Sequence, residues 1–436
     1  MSRDSILERC FKLRANGTDV RTEIMAGLTT FMTMAYILAV NPEILSHTGM
    51  DAAALFTATA LSAFIGTILM AFLANYPYAL APGMGLNAFF AFTVVAHMGK
   101  SWQFALTAVL IEGFIFLLLS LFKIREAIFD SIPTNLKKAV SVGIGFFIAL
   151  IGATSAGLVR PGQGVIIALG DLSEHRVWVT LFGLLVTGVL LAFKVKGALL
   201  FGIIASTLFA IPVGVTSLPQ SHIFSLPPSL APIAFKFDFT NVFSFEMLIV
   251  LFSFLFVDIF DTLGTLMGVA SKTKMLDEDG KLPRISRCLL TDSVATISGA
   301  CLGTSTVTTF VESSAGVAEG GRTGFSSVIT GLCFAVALFF APLFGIIPSS
   351  ATAPALMLVG LFMLSPIKDI PLDDYTESIP AFLTIVMMVF SYSIADGISW
   401  GMMSYVLMKV FTGKYKQVSI TMYVLALLFL LRYIVL

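Results

Sequence analysis

From Ile24 to the C-terminus the chain is a succession of apolar runs of about 18 or more residues, divided by short polar stretches. About 20 such residues cross a bilayer as a helix. In the first half the runs fall at 24–41, 55–75, 78–97, 103–122, 137–157, 177–193 and 197–215. In the second half they fall at 246–268, 287–302, 303–318, 324–345, 350–364, 379–393 and 395–411. A loop rich in Pro and Ser (Pro219, Pro227, Pro228, Pro232) separates the halves. The pattern predicts an all-α polytopic membrane protein of fourteen spans, seven plus seven. Residues 418–436 form one more apolar stretch, which either spans or lies along the surface.

Two spans interrupt the pattern. From Gly303 to Gly324 hydropathy demands a helix, yet the residues are polar, β-branched at Thr306 to Thr309 and Gly-rich beyond Glu312. Bare backbone and a carboxylate are costly against hydrocarbon. The expected form is a short extended piece followed by a half-helix opening near Glu312. The first half holds a matching interruption, Pro77 to Asn87, also at its third span. Further internal echoes are Ile132-Pro133 leading to Val142-Gly143, and Ile347-Pro348 leading to Val359-Gly360. Seven is odd, so the halves must run in opposite orientations. Paired breaks in an inverted repeat point to a transporter's midplane site.

Charge supports this topology. With the N-terminus inside, 21 of the 26 Lys and Arg fall on the cytoplasmic side, in the tail, 123–138, 194–196, 272–287, Arg322, Lys368 and 409–416. Lys100, Arg160, Arg176 and Lys236 fall outside, and Arg432 lies in the last apolar stretch. The basic, uncleaved start at 1–23 reads as a cytoplasmic tail, and the expected location is the plasma (bacterial inner) membrane. Composition agrees, with 57% hydrophobic and 12% charged residues and a net charge of zero. No basic patch lies outside the loops, so nucleic acid is not an expected partner. Cys10, Cys288, Cys301 and Cys333 lack metal spacing, and 277–280 lacks the remaining ligands of a calcium loop, so no metal or cofactor is expected.

The chemistry concentrates in the breaks and the eighth span. Asp258 and Asp261 are three apart, which puts both on one helix face. Each carboxylate at depth costs roughly 2.5–3.5 kcal/mol. Two of them with Glu312 opposite cannot all ionise comfortably, which makes a proton site. The freed backbone of the breaks offers N–H and C=O groups to a flat polar solute. No Lys or Arg occurs in 77–99, 246–271 or 288–321, which argues for a neutral substrate. Asn87, at the end of the first break, either holds the broken segments together or touches ligand. Asp292 and Glu112 read as structural or interfacial, and His47, His97, His175 and His222 carry no assigned role.

Several stretches, in order, resemble the AzgA-like purine permeases of the nucleobase–cation symporter superfamily. They are Phe11-Lys12-Leu13, Thr18 with Arg21-Thr22-Glu23-Ile24, Gly27-Leu28-Thr29-Thr30-Phe31, Ala81 to Phe90, Phe260 to Thr265, Gly303-Thr304-Ser305, and Glu312 to Gly316. The resemblance covers essentially the whole chain. It implies two inverted repeats arranged as a core domain (24–122 and 246–345) and a gate domain (123–215 and 346–411). Around these lie the tail 1–23, the linker 216–245 and a hydrophobic segment 412–436. It also implies proton coupling, an elevator-like movement of core against gate, and a homodimer. Its polar residues fall on Asn87, Asp258, Asp261 and Glu312, and Ala88, Phe89, Thr308 and Val311 complete the expected substrate-binding set. Asp258, Asp261 and Glu312 are the expected proton-coupling groups. Where the uracil-permease branch has Glu-His, this chain has Asp261-Thr262, whose shorter acid leaves room for a bicyclic base. Hypoxanthine, guanine and adenine are the expected substrates. The rival readings are an uncoupled facilitator and an anion transporter of the same fold. An intramembrane aspartyl protease would need facing aspartates from separate spans and a Gly-x-Gly-Asp signature, which is missing.

Overall fold

A computed structural model describes residues 6–122, 131–162, 165–217, 223–272, 275 and 282–435. The acidic turn 277–280, Pro219, His222 and the basic stretch 123–130 lie outside them. Each of the fourteen expected runs contains helix, and among the described residues eight helices are long and apolar enough to cross a membrane on length and composition alone. In the first half the spans are Val20–Met34 with Ile37–Ser46, Ala52–Leu69, the broken third, Trp102–Leu121, Thr134–Ser155, His175–Ala192 and Ala198–Ala210. In the second they are Phe245–Lys272, Ile285–Leu302, the broken tenth, Gly324–Ala337, Ser349–Met363, Tyr375–Phe390 and Ile394–Phe411.

Span 1 departs most from its expected bounds. Asp19 accepts a hydrogen bond from Thr22 N at 3.0 Å and starts the helix at Val20, inside what reads as tail. Glu23 is consequently buried, not solvated. Its carboxylate accepts from the backbone N–H of Arg322 (2.7 Å), Thr323 (3.2 Å) and Ser326 (3.0 Å), capping span 11 from another helix. The span also breaks at Ala35–Tyr36 and continues to Ser46.

The helices pack as two sets. Spans 5, 6, 7, 12, 13 and 14 pack on one another, and spans 1, 2, 4, 9 and 11 do so around spans 8 and 10. In the first set backbones pass almost in contact. A Cβ at Gly360 would lie 2.4 Å from the Gly145 carbonyl oxygen, and one at Gly145 would lie 2.7 Å from that of Gly360. Span 5 leads to a small hairpin, β2 (Val159–Arg160) with β3 (Ala168–Leu169), outside the bundle. The other two strands, β1 (Leu80–Pro82) and β4 (Val307–Thr309), lie in the broken spans.

The last apolar stretch forms a helix, Ile420–Val435, that stands along span 14 instead of lying across its end. Ser419 Oγ donates to the Ser131 carbonyl at 3.0 Å at one end, and Tyr433 OH donates to Asp396 at 2.9 Å at the other. At 1.5 Å per residue it is about 24 Å long, short of a hydrocarbon core of about 30 Å. Phe429 on this helix packs against Phe252 and Phe256 of span 8, so the helix bridges both sets.

Candidate functional site

β1 and β4 pair antiparallel at the centre of the bundle, with Leu80 opposite Thr309, Ala81 opposite Thr308 and Pro82 opposite Val307. The two breaks therefore meet each other. Gly83 N donates to Thr306 O and Phe310 N to Ala79 O, both at 3.0 Å, extending the ladder by one bond at each end. Hydroxyls supply most of the remaining partners. Ser313 Oγ receives Ala79 N at 3.0 Å, and Thr67 Oγ1 both receives Leu80 N (3.0 Å) and lies 3.1 Å from Leu80 O. Extended backbone at membrane depth is thus satisfied by protein, as hydrocarbon requires. Pro82 fits because it ends an edge strand, where its missing N–H breaks no ladder bond.

A half-helix leaves each strand: Met84–Ala88 after Gly83, widening into a π-helix over Phe89–His97, and Ser313–Ala318 after Glu312. The expected opening of the second half-helix near Glu312 is what the structure has. Gly83 is needed at its turn, since a Cβ there would come 2.5 Å from Thr308 Cγ2 and 3.1 Å from Asp261 Oδ2. Span 8 consequently presses Asp261 directly over the first break.

Neighbouring spans buckle the breaks in place. Thr306 Oγ1 donates to Glu112 Oε2 at 2.7 Å, which ties span 4 to the second break. Asn41 Nδ2 donates to Thr59 Oγ1 (2.7 Å) and Thr304 Oγ1 (3.1 Å), adding spans 1 and 2. Asn87 Oδ1 accepts from Ser305 Oγ across the two breaks, and Asn87 Nδ2 reaches Pro82 O at 3.4 Å. Of the two roles left open for Asn87, its contacts here are those of a brace.

The carboxylates separate into two groups. Asp258 and Asp292 are fully buried and converge on Thr262 Oγ1, at 2.9 and 3.0 Å, with Thr308 Oγ1 at 2.6 Å on the same oxygen. Asp261 is partly exposed, lies against Gly83, and has Asp292 and Glu312 as acidic neighbours. Glu312 accepts from Tyr36 OH at 2.6 Å, where span 1 breaks. Among the other expected residues, Val311 is 43% exposed beside Glu312. Ala88 is buried, and Phe89 packs edge-on against Phe254 of span 8 at 4.8 Å. Tyr36 is a participant that the sequence did not single out, and Thr262 and Thr306 stand in stretches it did single out, without these hydrogen-bonding roles. For Tyr36 no signal existed, whereas Thr262 stands four residues after Asp258, one helical turn on.

Asp261, Glu312 and Val311 thus border the partly exposed part of the site, and Asp258, Thr308 and Asn87 lie within its packed frame. Such an arrangement can accept N–H donors of a flat solute and carry a proton.

Comparison with known proteins places this frame. The Permease family profile matches residues 21–399. The adenine permease AdeP of Escherichia coli is 42% identical over 99% of this chain and 96% of its own length. The guanine/hypoxanthine permease PbuG of Bacillus subtilis is 44% identical over 97% of this chain and 98% of its own. Among solved structures, the transmembrane domain of the cyanobacterial bicarbonate transporter BicA superposes with a TM-score of 0.66 at 17% identity, covering 86% of this chain and 97% of that one. Murine Slc26a9, an anion transporter solved in the inward-facing state, gives 0.65 at 11% identity over 94% and 74%. Those two likenesses concern the fold, a seven-plus-seven inverted repeat of core and gate. On the profile and the full-length relatives, the chain belongs to the nucleobase/ascorbate transporter family of permeases.

Proposed function

We propose that this chain is a proton-coupled symporter of purine nucleobases. In this reading a base docks between the two breaks against Asp261, Glu312, Asn87, Ala88, Phe89, Thr308 and Val311. Asp258, Asp261 and Glu312 carry the coupling proton. The core, 24–122 with 246–345, then shifts against the gate, 123–215 with 346–411, in an elevator-like movement. The protein sits in the plasma membrane with its N-terminus cytoplasmic, as a homodimer.

One observation carries the reading. Two carboxylates from separate spans of the second half, Asp261 of span 8 and Glu312 of span 10, lie within electrostatic reach of each other beside the β1–β4 pair that joins the two halves. Residues 77–99, 246–271 and 288–321 there contain no Lys or Arg. Full-length relatives named as adenine and guanine/hypoxanthine permeases support the purine class. A carboxylate accepts adjacent N–H donors of guanine, and a protonated acid suits the mixed edge of adenine. An anion carrier on the same fold is the second reading, favoured by the BicA and Slc26a9 likenesses, but a pair of acids is a poor host for an anion.

The test is uptake of labelled hypoxanthine into proteoliposomes under an imposed pH gradient, competed by adenine, guanine, xanthine and uracil. Uptake is expected to rise with external acidity, to collapse with a protonophore and to yield to purines alone. Indifference to the gradient would mean a facilitator, and no uptake of any base would overturn the reading. Asp261→Asn and Glu312→Gln should each weaken base binding roughly 10- to 150-fold, corresponding to ~1.5–3 kcal/mol for a hydrogen bond to a charged group.

A further inference from the structure

Glu43 lies one turn from the far end of span 1, outside the site described above. Its side chain is 12% exposed, and neither carboxylate oxygen accepts a hydrogen bond from a described residue. His47 follows one turn later on the same face, with Nε2 4.0 Å from Glu43 Oε1 and Nδ1 2.9 Å from the Glu43 carbonyl oxygen. The imidazole is 46% exposed, so it meets solution on one side and the carboxylate on the other.

Little other charge faces this pair. Against the Ile37–Ser46 helix pack span 2, both parts of span 3, β1 and span 12. Span 2 brings Asp51 at its N-cap, engaged with Ala54 N at 2.8 Å. Span 3 brings His97 at its end, and β1, the Met84–Ala88 helix and span 12 bring no titratable group. A carboxylate withdrawn from water with no donor is held at a solvation cost that a proton removes. Here the proton has a route, from solution to His47 and from His47 to Glu43.

The pair also borders the seam between the two sets of spans. The His47 ring lies 5.8 Å from that of Phe92 in span 3, Phe92 meets Tyr392 edge-on at 6.2 Å, and Tyr392 meets Phe147 of span 5 at 5.2 Å. We propose that Glu43 and His47 form a second proton-binding site, separate from Asp261 and Glu312, which exchanges protons with solution at the end of the bundle opposite the basic loops. That this end is the outer one rests on the orientation proposed above. The existence of the site does not.

The experiment has two arms. The first records pH-difference infrared spectra of the purified full-length protein in the carboxyl-stretch region, for wild type, Glu43→Gln and His47→Gln. A titrating protonated-carboxyl band is expected in wild type and absent from Glu43→Gln. In the exposed-site variant His47→Gln the band should persist, with its midpoint moved to higher pH by roughly 0.7 unit or more, the effect of one charge at about 4 Å even in bulk water. Superimposable spectra of wild type and Glu43→Gln would overturn the proposal, leaving Glu43 a hydrated carboxylate throughout. The second arm measures hypoxanthine uptake by wild type and His47→Gln, first while external pH varies at fixed internal pH and then while internal pH varies at fixed external pH. A shifted external-pH midpoint supports the outer placement. A shift that follows internal pH instead supports the site and reverses the orientation. Failure of any base to be taken up leaves the infrared arm to decide the site by itself.

Discussion

The two sets of spans differ in where their buried hydroxyls reach. In spans 5–7 and 12–14, Thr187, Ser206, Thr207, Thr384 and Ser399 each donate to the carbonyl four residues back in their own helix, at 2.6–2.8 Å. These protons stay within their own helix. Two hydroxyls that do cross between these spans go to backbone, Thr180 to Ser350 O (2.8 Å) and Ser141 to Met363 O (3.4 Å), and the helices can approach to backbone contact, as at Gly145 and Gly360. In spans 1–4 and 8–11 hydroxyls also reach across: Thr306 to Glu112, Thr262 to Asp292, Tyr36 to Glu312, Thr304 to Asn41. Mean hydropathy does not distinguish a Thr that bonds its own helix from one that bonds a neighbour. The first kind builds a slab, and the second builds a site.

The contrast breaks most sharply on a glycine. In Gly360→Val the new Cβ meets the Gly145 carbonyl and Ala149 Cβ, atoms that cannot give way, so no monodisperse protein is expected on size-exclusion chromatography. Gly264→Ala in span 8 meets nothing within 4 Å and should elute as wild type. A smaller effect is expected at Lys409, 2% exposed in span 14, whose Nζ lies 2.6 Å from Glu377, 3.1 Å from Thr376 Oγ1 and 3.0 Å from Gln417 Oε1. Lys409→Met should cost about 3–5 kcal/mol in thermal unfolding, and adding Glu377→Leu should restore most of it. If the double variant also loses uptake, the pair belongs to transport and the division drawn here fails. The smallest difference compares two threonines. Thr306→Val removes a donor from a buried carboxylate and should cost ~1.5–3 kcal/mol, whereas Thr207→Val removes only a bond within one helix and should stay under about 1 kcal/mol. Equal costs would mean that local closure is not what sets the two regions apart.

Much of this was legible in the residues. Long apolar runs give spans because a bilayer leaves the backbone no other partner than its own helix. Thr306 to Thr309 announced extended structure, and the Gly-rich stretch beyond Glu312 announced the opening of a half-helix. The partnership of β1 with β4 was not legible, since three-residue strands carry no register signal of their own and owe their pairing to the spans around them. The spacing of Asp258 and Asp261 did not reveal their different partners. Three residues advance a helix by about 300°, so the two side chains stand about 60° apart. That angle suffices to send one to Thr262 and span 9 and the other over Gly83. Glu23 read as tail because a charge just before an apolar run resembles a solvated flank. Its burial depends on Arg322, Thr323 and Ser326, some 300 residues away, whose N–H groups need an acceptor.

The pairing of β1 with β4 also sets a clock on biosynthesis. When Leu80–Pro82 leaves the ribosome its partner does not yet exist, and Val307 follows 225 positions after Pro82. At roughly 5–20 residues per second the interval is about 10–45 s. Throughout it the first break holds backbone groups that lipid cannot satisfy, so spans inserted early must keep that segment in contact with water or with the insertion machinery until the second break arrives.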